Sequence, residues 1–373
     1  MARKQFLSFL LIFSLLISYA SALAEADDDD DWDDNVDDAW EMEHPLHSGD
    51  YAYALLDDGT VEITSYGGAD TEIVIPDTLD GKPVTAIGER AFYYSLSPTS
   101  VTIPDSVTHI SQKAFSCCFQ LTSITLPSGL TAIESGTFDL CKSLTTIDIP
   151  DSVAAIADDA FIGCKALQSF TLSPNHPYFF LADDALCRTA DSTFLLYPNA
   201  REPRTYRIPD GITAISAYAF YDCDLLESVV VPDSVTQLPA RAFSGCSALA
   251  SVSLPDSLTE IGTAAFSGCS ALTGIRIPAA ITEIINHTFS GCTSLATLEI
   301  PDSVTKIGDY AFFGCTSLTS IAIPDSVTAI GNGAFSNCTA LTLTVTPDSY
   351  AAEYAKANNI PYTYPDANDW LNN

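Results

Sequence analysis

Proline recurs in this chain at 104, 127, 150, 209, 232, 255, 278, 301, 324 and 347, and every step is 23 residues except the one from 150 to 209. Pro76 stands 28 residues before Pro104, so the first unit is longer by five. A fixed period of this size marks one small structural unit copied along the chain. Such a unit cannot bury its apolar face alone and must stack on its neighbours. A length of 373 residues would otherwise suggest two or three domains; the repeat predicts one continuous solenoid.

Other columns run in parallel. A phenylalanine column reads Phe92, Phe115, Phe138, Phe161, Phe220, Phe243, Phe266, Phe289, Phe312 and Phe335. Three residues later comes cysteine: Cys118, Cys141, Cys164, Cys223, Cys246, Cys269, Cys292, Cys315 and Cys338, with Ser95 in the first unit. Leucine follows three further on, from Leu121 to Leu341. In the best-preserved unit, Ile321 and Ile323 alternate at period two and mark a short strand. Pro324 ends it, because proline cannot donate to a ladder, and Asp325-Ser326 supply turn chemistry. Val327, Ile330 and Phe335 complete an inward set of about seven apolar groups per coil. Strands stacked ~4.8 Å apart make ten or eleven coils roughly 50 Å long.

The pattern Cys-x-x-Leu-x-x-Ile-x-Ile-Pro-x-x-Val-x-x-Ile-(x)4-Phe, in register over residues 70–347, resembles the BspA-like, treponemal class of leucine-rich repeats. The resemblance implies a curved array of 23-residue coils with a parallel β-sheet whose outer face is concave. It also implies a secreted or surface-exposed protein of a host-associated microbe that adheres to host matrix proteins or to other cells.

The expected segments are a signal peptide (1–24), an acidic disordered leader (25–49), an N-terminal β-hairpin cap (50–75), the solenoid (76–347) and a C-terminal cap and tail (348–373). Arg3-Lys4, the apolar run to Tyr19 and Ala22-Leu23-Ala24 have the layout of a cleaved secretory signal. The run is too short for a spanning helix. Residues 25–50 hold 13 acids and no base. This stretch reads as a solvated leader, with weak Ca2+ binding and docking through Trp32 and Trp40 as alternatives. In the N-terminal cap, Asp58-Gly59 between alternating segments signals a hairpin. At Leu341–Val345 the apolar phase slips by one residue. A one-residue slip turns the strand's faces over, so the regular array is expected to end there, followed by a helix capped at Asp348 or Ser349 and a last strand at 360–364.

The long step contains a degenerate insert, 173–208, read as a strand pair with a turn near Asp191. Either it is an irregular coil bulging from the solenoid or it is a protruding contact element. Arg188, Arg201, Arg204 and Arg207 concentrate four of the chain's few bases there.

The formal net charge is −33, which opposes binding to nucleic acid and to anionic membranes. Eleven cysteines in an exported chain suggest disulfides, yet nine share one column, which fits buried apolar thiols. A bridge remains open at Cys117, since adjacent coils satisfy the Cα separation. No His-Glu-x-x-His, Gly-x-Ser-x-Gly or phosphate loop occurs, so no catalytic residue, metal site or cofactor is expected. The outward strand positions are small and polar, interrupted by Asp148, Arg276 and Glu299. With the four arginines these are the candidate binding residues, for an extracellular protein or glycan. The expected function is a non-enzymatic, secreted protein-protein or protein-glycan interaction module for adhesion to host or neighbouring-cell components. The alternatives are a self-associating structural surface protein and an enzyme or inhibitor with a cryptic site.

Overall fold

The computed structural model describes residues 45–202 and 204–365, and every structural statement here concerns these. The expected signal peptide, the leader as far as residue 44 with both its tryptophans, and the tail beyond residue 365 lie outside them.

Pro45 onward forms a solenoid whose coils have three sides. The coil that begins at Cys315 has the strand Ser320–Ala322, the two-residue strand Ala329–Ile330 and a tight turn carrying Phe335. Three ladders join successive coils. On the strand face Thr205–Arg207, Ser228–Val230 and Ser251–Ser253 pair in parallel and in register. On the second face Glu283–Ile284, Lys306–Ile307 and Ala329–Ile330 do the same. On the turn face the Phe N–H of eight coils donates to the carbonyl just before the next Phe, as from Phe243 to Ala265 and from Phe312 to Ala334, both at 2.8 Å. Backbone polar groups are thus satisfied between coils, as burial requires. In the coil of Cys315, Leu318, Ile321, Ile323, Val327, Ile330, Ala334 and Phe335 are all buried with the cysteine, one group more than the spacing suggested.

Two columns dominate the packing. The phenylalanine rings stack with centroids 4.7–6.0 Å apart and planes within 18°, each pair contributing about 0.5–1.5 kcal/mol beyond area burial. The cysteines do more than fill space. In eight coils Sγ–H donates at 2.8–3.2 Å to the carbonyl of the preceding coil's Phe. That carbonyl already accepts an N–H, as Phe115 does from Cys118, so the thiol uses its second lone pair. All eleven cysteines are free thiols, Cys117 included.

The strand pair expected about Asp191 is present in the insert, but neither a bulge nor a protrusion describes how that pair is packed. The insert is a meander of three antiparallel strands, Phe179–Ala182, Ala185–Arg188 and Thr193–Leu196, the last pairing in parallel with Ala214–Ile215. Asp183 and Asp184 close the first turn at φ 47° and 66°, the left-handed pair that a two-residue hairpin demands. Rather than bulging outward, the second and third strands are buried on both faces. Leu186 and Leu195 pack with the coils before the insert, while Ala185, Cys187 and Phe194 pack with those after it. The meander is therefore a septum between two hydrophobic cores. The Phe stack stops at Phe161, which turns edge-on to Phe170, and resumes at Phe194 and Tyr197 against Phe220.

The ends also depart from expectation in detail. Leu46–Ser48, read as leader, pairs antiparallel with Tyr51–Leu55, which pairs with Val61–Tyr66. The slip near Leu341 does not turn the strand over. Thr342–Thr344 pairs with Ser320–Ala322 and sets the buried Leu343 beside Ile321. The missing residue is absorbed before the strand, where no ladder has to be kept, so the array continues. Tyr362–Thr363 adds a further parallel strand. Ser349 caps the helix Tyr350–Ala357 by accepting from Ala352 N–H.

Candidate interaction surfaces

The strand face beyond the septum carries two shallow depressions that meet at Arg276. One, of about 670 Å3, is lined by Arg207, Asp210, Asp233, Ser253, Asp256 and Arg276. The other, of about 860 Å3, is lined by Gly274, Arg276, Thr297, Glu299, Ser320 and Thr344. Together they form one open groove. The repeat builds most of its acidic edge automatically, because the residue after eight of the ten strand-ending prolines is the aspartate of the turn, Ser128 and Ala279 being the exceptions. Both arginines lean onto this edge: Arg207 donates to Asp210 at 2.7 Å, and Arg276 pairs with Asp256. Glu299 lies beside Arg276 in the register of neighbouring strands. Asp233 lies between the two pairs, so the groove holds more carboxylates than guanidiniums.

The four insert arginines do not form one cationic patch. Arg188 donates twice to Asp191, at 2.9 and 2.8 Å, and closes the turn before Thr193. This partner holds the Asp191 carboxyl at a pKa of about 2. Arg201 is covered, stacked over Tyr197 and Tyr206 and bonded to Asp184 at 3.3 Å. Arg204 bridges Glu202 and Glu227. Only Arg207 reaches the groove. Asp148 lies on the other side of the septum and accepts from Thr171 at 2.7 Å.

The thiol column carries no nucleophile of ordinary reactivity over most of its length. Burial pushes Cys118 and Cys292 of the column, and Cys187 of the insert, up to about 12, far from the thiolate that attack requires. Among the described residues no group of three or more His, Cys, Asp or Glu is placed to hold a metal ion.

Reading the strand face alone misses the aromatic side chains of the turn face. The residue two before each Phe takes positive φ in nine coils: Arg90, Lys113, Gly136, Tyr218, Arg241, Ala264, His287, Tyr310 and Gly333. Non-glycine residues there cost about 1–2 kcal/mol each. Tyr93 and Tyr94 are about half exposed, and Tyr310 is 41% exposed. The signal was present in the chain: large residues occupy a column where glycine also occurs.

Comparison with known proteins agrees with this architecture. The BspA type leucine rich repeat region matches residues 71–182 and 208–344 in six copies; the break falls on the septum. A leucine rich cell surface protein from Faecalibacterium prausnitzii has 31% identity, with 84% of this chain and 97% of that chain covered and a TM-score of 0.51. A leucine-rich repeat protein from Eubacterium ventriosum has 23% identity over 78% of this chain and 93% of that one, with a TM-score of 0.59. The pneumococcal vaccine antigen PcpA has 17% identity over 87% and 99%, with a TM-score of 0.53. The last two share the fold. No curated protein matches the chain.

Proposed function

We propose, from the premise that this chain belongs to the BspA-type leucine-rich-repeat family, that it is an exported, non-enzymatic adhesion module binding an extracellular protein in the strand-face groove. The groove itself carries this reading: an open, continuous depression of polar side chains over a rigid stacked sheet, with carboxylates in excess along one edge. It fits a partner surface rich in lysine and arginine, which such a field attracts and orients. The small outward residues contribute area, while Arg207, Arg276 and Glu299 set register. Export is supported by the basic start and apolar run of residues 1–24, and the F. prausnitzii relative is a cell surface protein. Among the described residues no helix is long and apolar enough to cross a membrane.

Surface plasmon resonance against a panel of extracellular matrix proteins and mucin tests the proposal. Binding to at least one basic-surfaced protein is expected. It should weaken at least tenfold in the double variant Asp233→Lys/Asp256→Lys and fall with added salt. Undiminished binding by that variant would remove the groove from the account. Large homopolymers in light scattering with no bound partner would favour a self-associating structural protein instead.

A further inference from the structure

We infer that Cys338 and Cys315 form a peroxide-sensitive thiol pair, which hydrogen peroxide entering the cavity beside Cys338 converts to a disulfide between two successive coils.

Access distinguishes this end of the column. Ten of the eleven cysteines are buried, and Cys338 is the one that is not. Every earlier cysteine of the column has another coil's thiol stacked beyond it, whereas the column ends at Cys338. The helix Tyr350–Ala357 closes this end of the array by burying Ala351, Ala352 and Ala355 and setting Tyr354 edge-on to Phe335, with centroids 6.3 Å apart. It covers the ring column but leaves a cavity of about 310 Å3 beside Cys338, lined also by Ser336, Asn337, Thr339, Tyr354 and Asn358. That volume exceeds the share of a water molecule several times over, so hydrogen peroxide, little larger than water, fits.

The partner thiol is in place. Phe312 N–H donates to Ala334 O at 2.8 Å and Gly314 N–H to Ser336 O at 2.9 Å, which holds the two coils in register beside the pair. Cys338 Sγ–H donates to Phe312 O at 3.0 Å, and the same oxygen accepts Cys315 N–H at 3.2 Å. The thiol of one coil therefore lies against the cysteine of the coil before it. Stacked rungs ~4.8 Å apart fall inside the Cα separation a disulfide accepts. The Cys315 thiol and the backbone N–H groups of Cys315 and Gly314 turn toward the Cys338 sulfur and hold its thiol below the ordinary range. Burial does the opposite to Cys292, pushed up to about 12 two rungs away. The thiolate is the attacking form, so the accessible cysteine is also the nucleophilic one.

The chemistry needs peroxide alone. The Cys338 thiolate attacks one peroxide oxygen. An S–O bond forms as the O–O bond breaks, the sulfur gives up two electrons, and the departing hydroxide takes a proton to become water. Cys315 then loses its proton and its sulfur attacks that of Cys338. The S–S bond forms, the S–O bond breaks, and the hydroxide leaves with the Cys315 proton as a second water. Phe312 O loses its thiol donor but keeps Cys315 N–H, so closure leaves no bare carbonyl.

The test treats the reduced full chain with equimolar hydrogen peroxide, blocks the remaining thiols at timed intervals and maps the peptides by mass spectrometry. A linked peptide joining Cys315 to Cys338, lighter by two hydrogens, is expected to form at least tenfold faster than any other cysteine oxidises. In Cys315→Ala, dimedone should label Cys338 as a sulfenic acid; in Cys338→Ser the fast oxidation should vanish. The parent chain decides even if a variant fails to fold. The inference is overturned if Cys338 oxidises no faster than the buried cysteines or if another pair links first. It is equally overturned if Cys338 of the parent accumulates sulfenic or sulfinic acid without joining Cys315.

Discussion

The coils after the septum and the insert coil solve one packing problem in two ways. In the regular coils, Phe243, Phe266 and Phe289 stack on copies of themselves, and Cys246, Cys269 and Cys292 each complete a carbonyl one coil back. In the insert coil, Tyr197 holds the phenylalanine position, donating N–H to Ala219 O at 2.8 Å, and Ala200 stands where cysteine would be. Phe161 and Tyr197 stand 36 residues apart, and the first ring after Phe161, Phe170, meets it edge-on instead of stacking. A sheet buried on both faces fills the space, and Asn199 takes over carbonyl pairing by donating to Tyr221 O and Asp222 O at 3.0 and 3.1 Å. The difference teaches that the repeat specifies contacts by identity, whereas the insert meets the same demand by shape and by a single polar side chain.

The largest effect should come from splitting the two cores. Phe266→Ala is expected to cost about 3–5 kcal/mol and to lower only the transition of the coils after the septum in differential scanning calorimetry. Leu186→Ala, on the other face of the septum, should cost about 2–5 kcal/mol and lower the transition of the coils before it. A single transition shifted by both variants would break the distinction between the cores. Next in size, Asn199→Ala should cost about 1–3 kcal/mol in urea denaturation, because Tyr221 O loses its amide donor and Asp222 O keeps only Asp224 N–H. Cys246→Ala should cost less, about 1 kcal/mol, since Phe220 O still accepts Cys223 N–H at 3.3 Å. Equal losses would mean that the thiol and amide roles are interchangeable.

The smallest effect concerns acid. Arg188 holds the folded Asp191 pKa at about 2, below an unfolded value of about 3.9. A depressed folded pKa contributes stability that is present above about pH 4 and lost as pH falls toward 2. Both side chains are more than a third exposed, so the contribution should stay below about 1 kcal/mol. Urea midpoints at pH 5 and 2.5 should show a smaller acid loss in Asp191→Asn than in the parent. An identical loss would place the acid sensitivity elsewhere.

Much of the fold could be read before any coordinates, because a column repeated ten times averages out local ambiguity. Phe335 and Leu318 face inward for the same reason in every coil. The candidate sites were less legible. Arg201 reads as a surface base, yet it lies over two tyrosines and faces Asp184 from 17 residues away. Its burial depends on how the septum folds back, which no period encodes. Tyr310 stands in a column whose residue changes from coil to coil, so the period carries no sign of it.

By itself the sequence determined the coil, its register, its three sides and the inward identity of Phe, Cys, Leu and Ile. Those follow from local alternation and from a repeat that has to stack to bury anything. Only the tertiary structure decided that the insert is a wall between two cores, that the slip at Leu341 is absorbed without turning the strand over, and which charged side chains reach the groove. These outcomes rest on contacts between residues far apart in the chain, where space already taken by neighbouring coils determines which of several locally acceptable conformations can close.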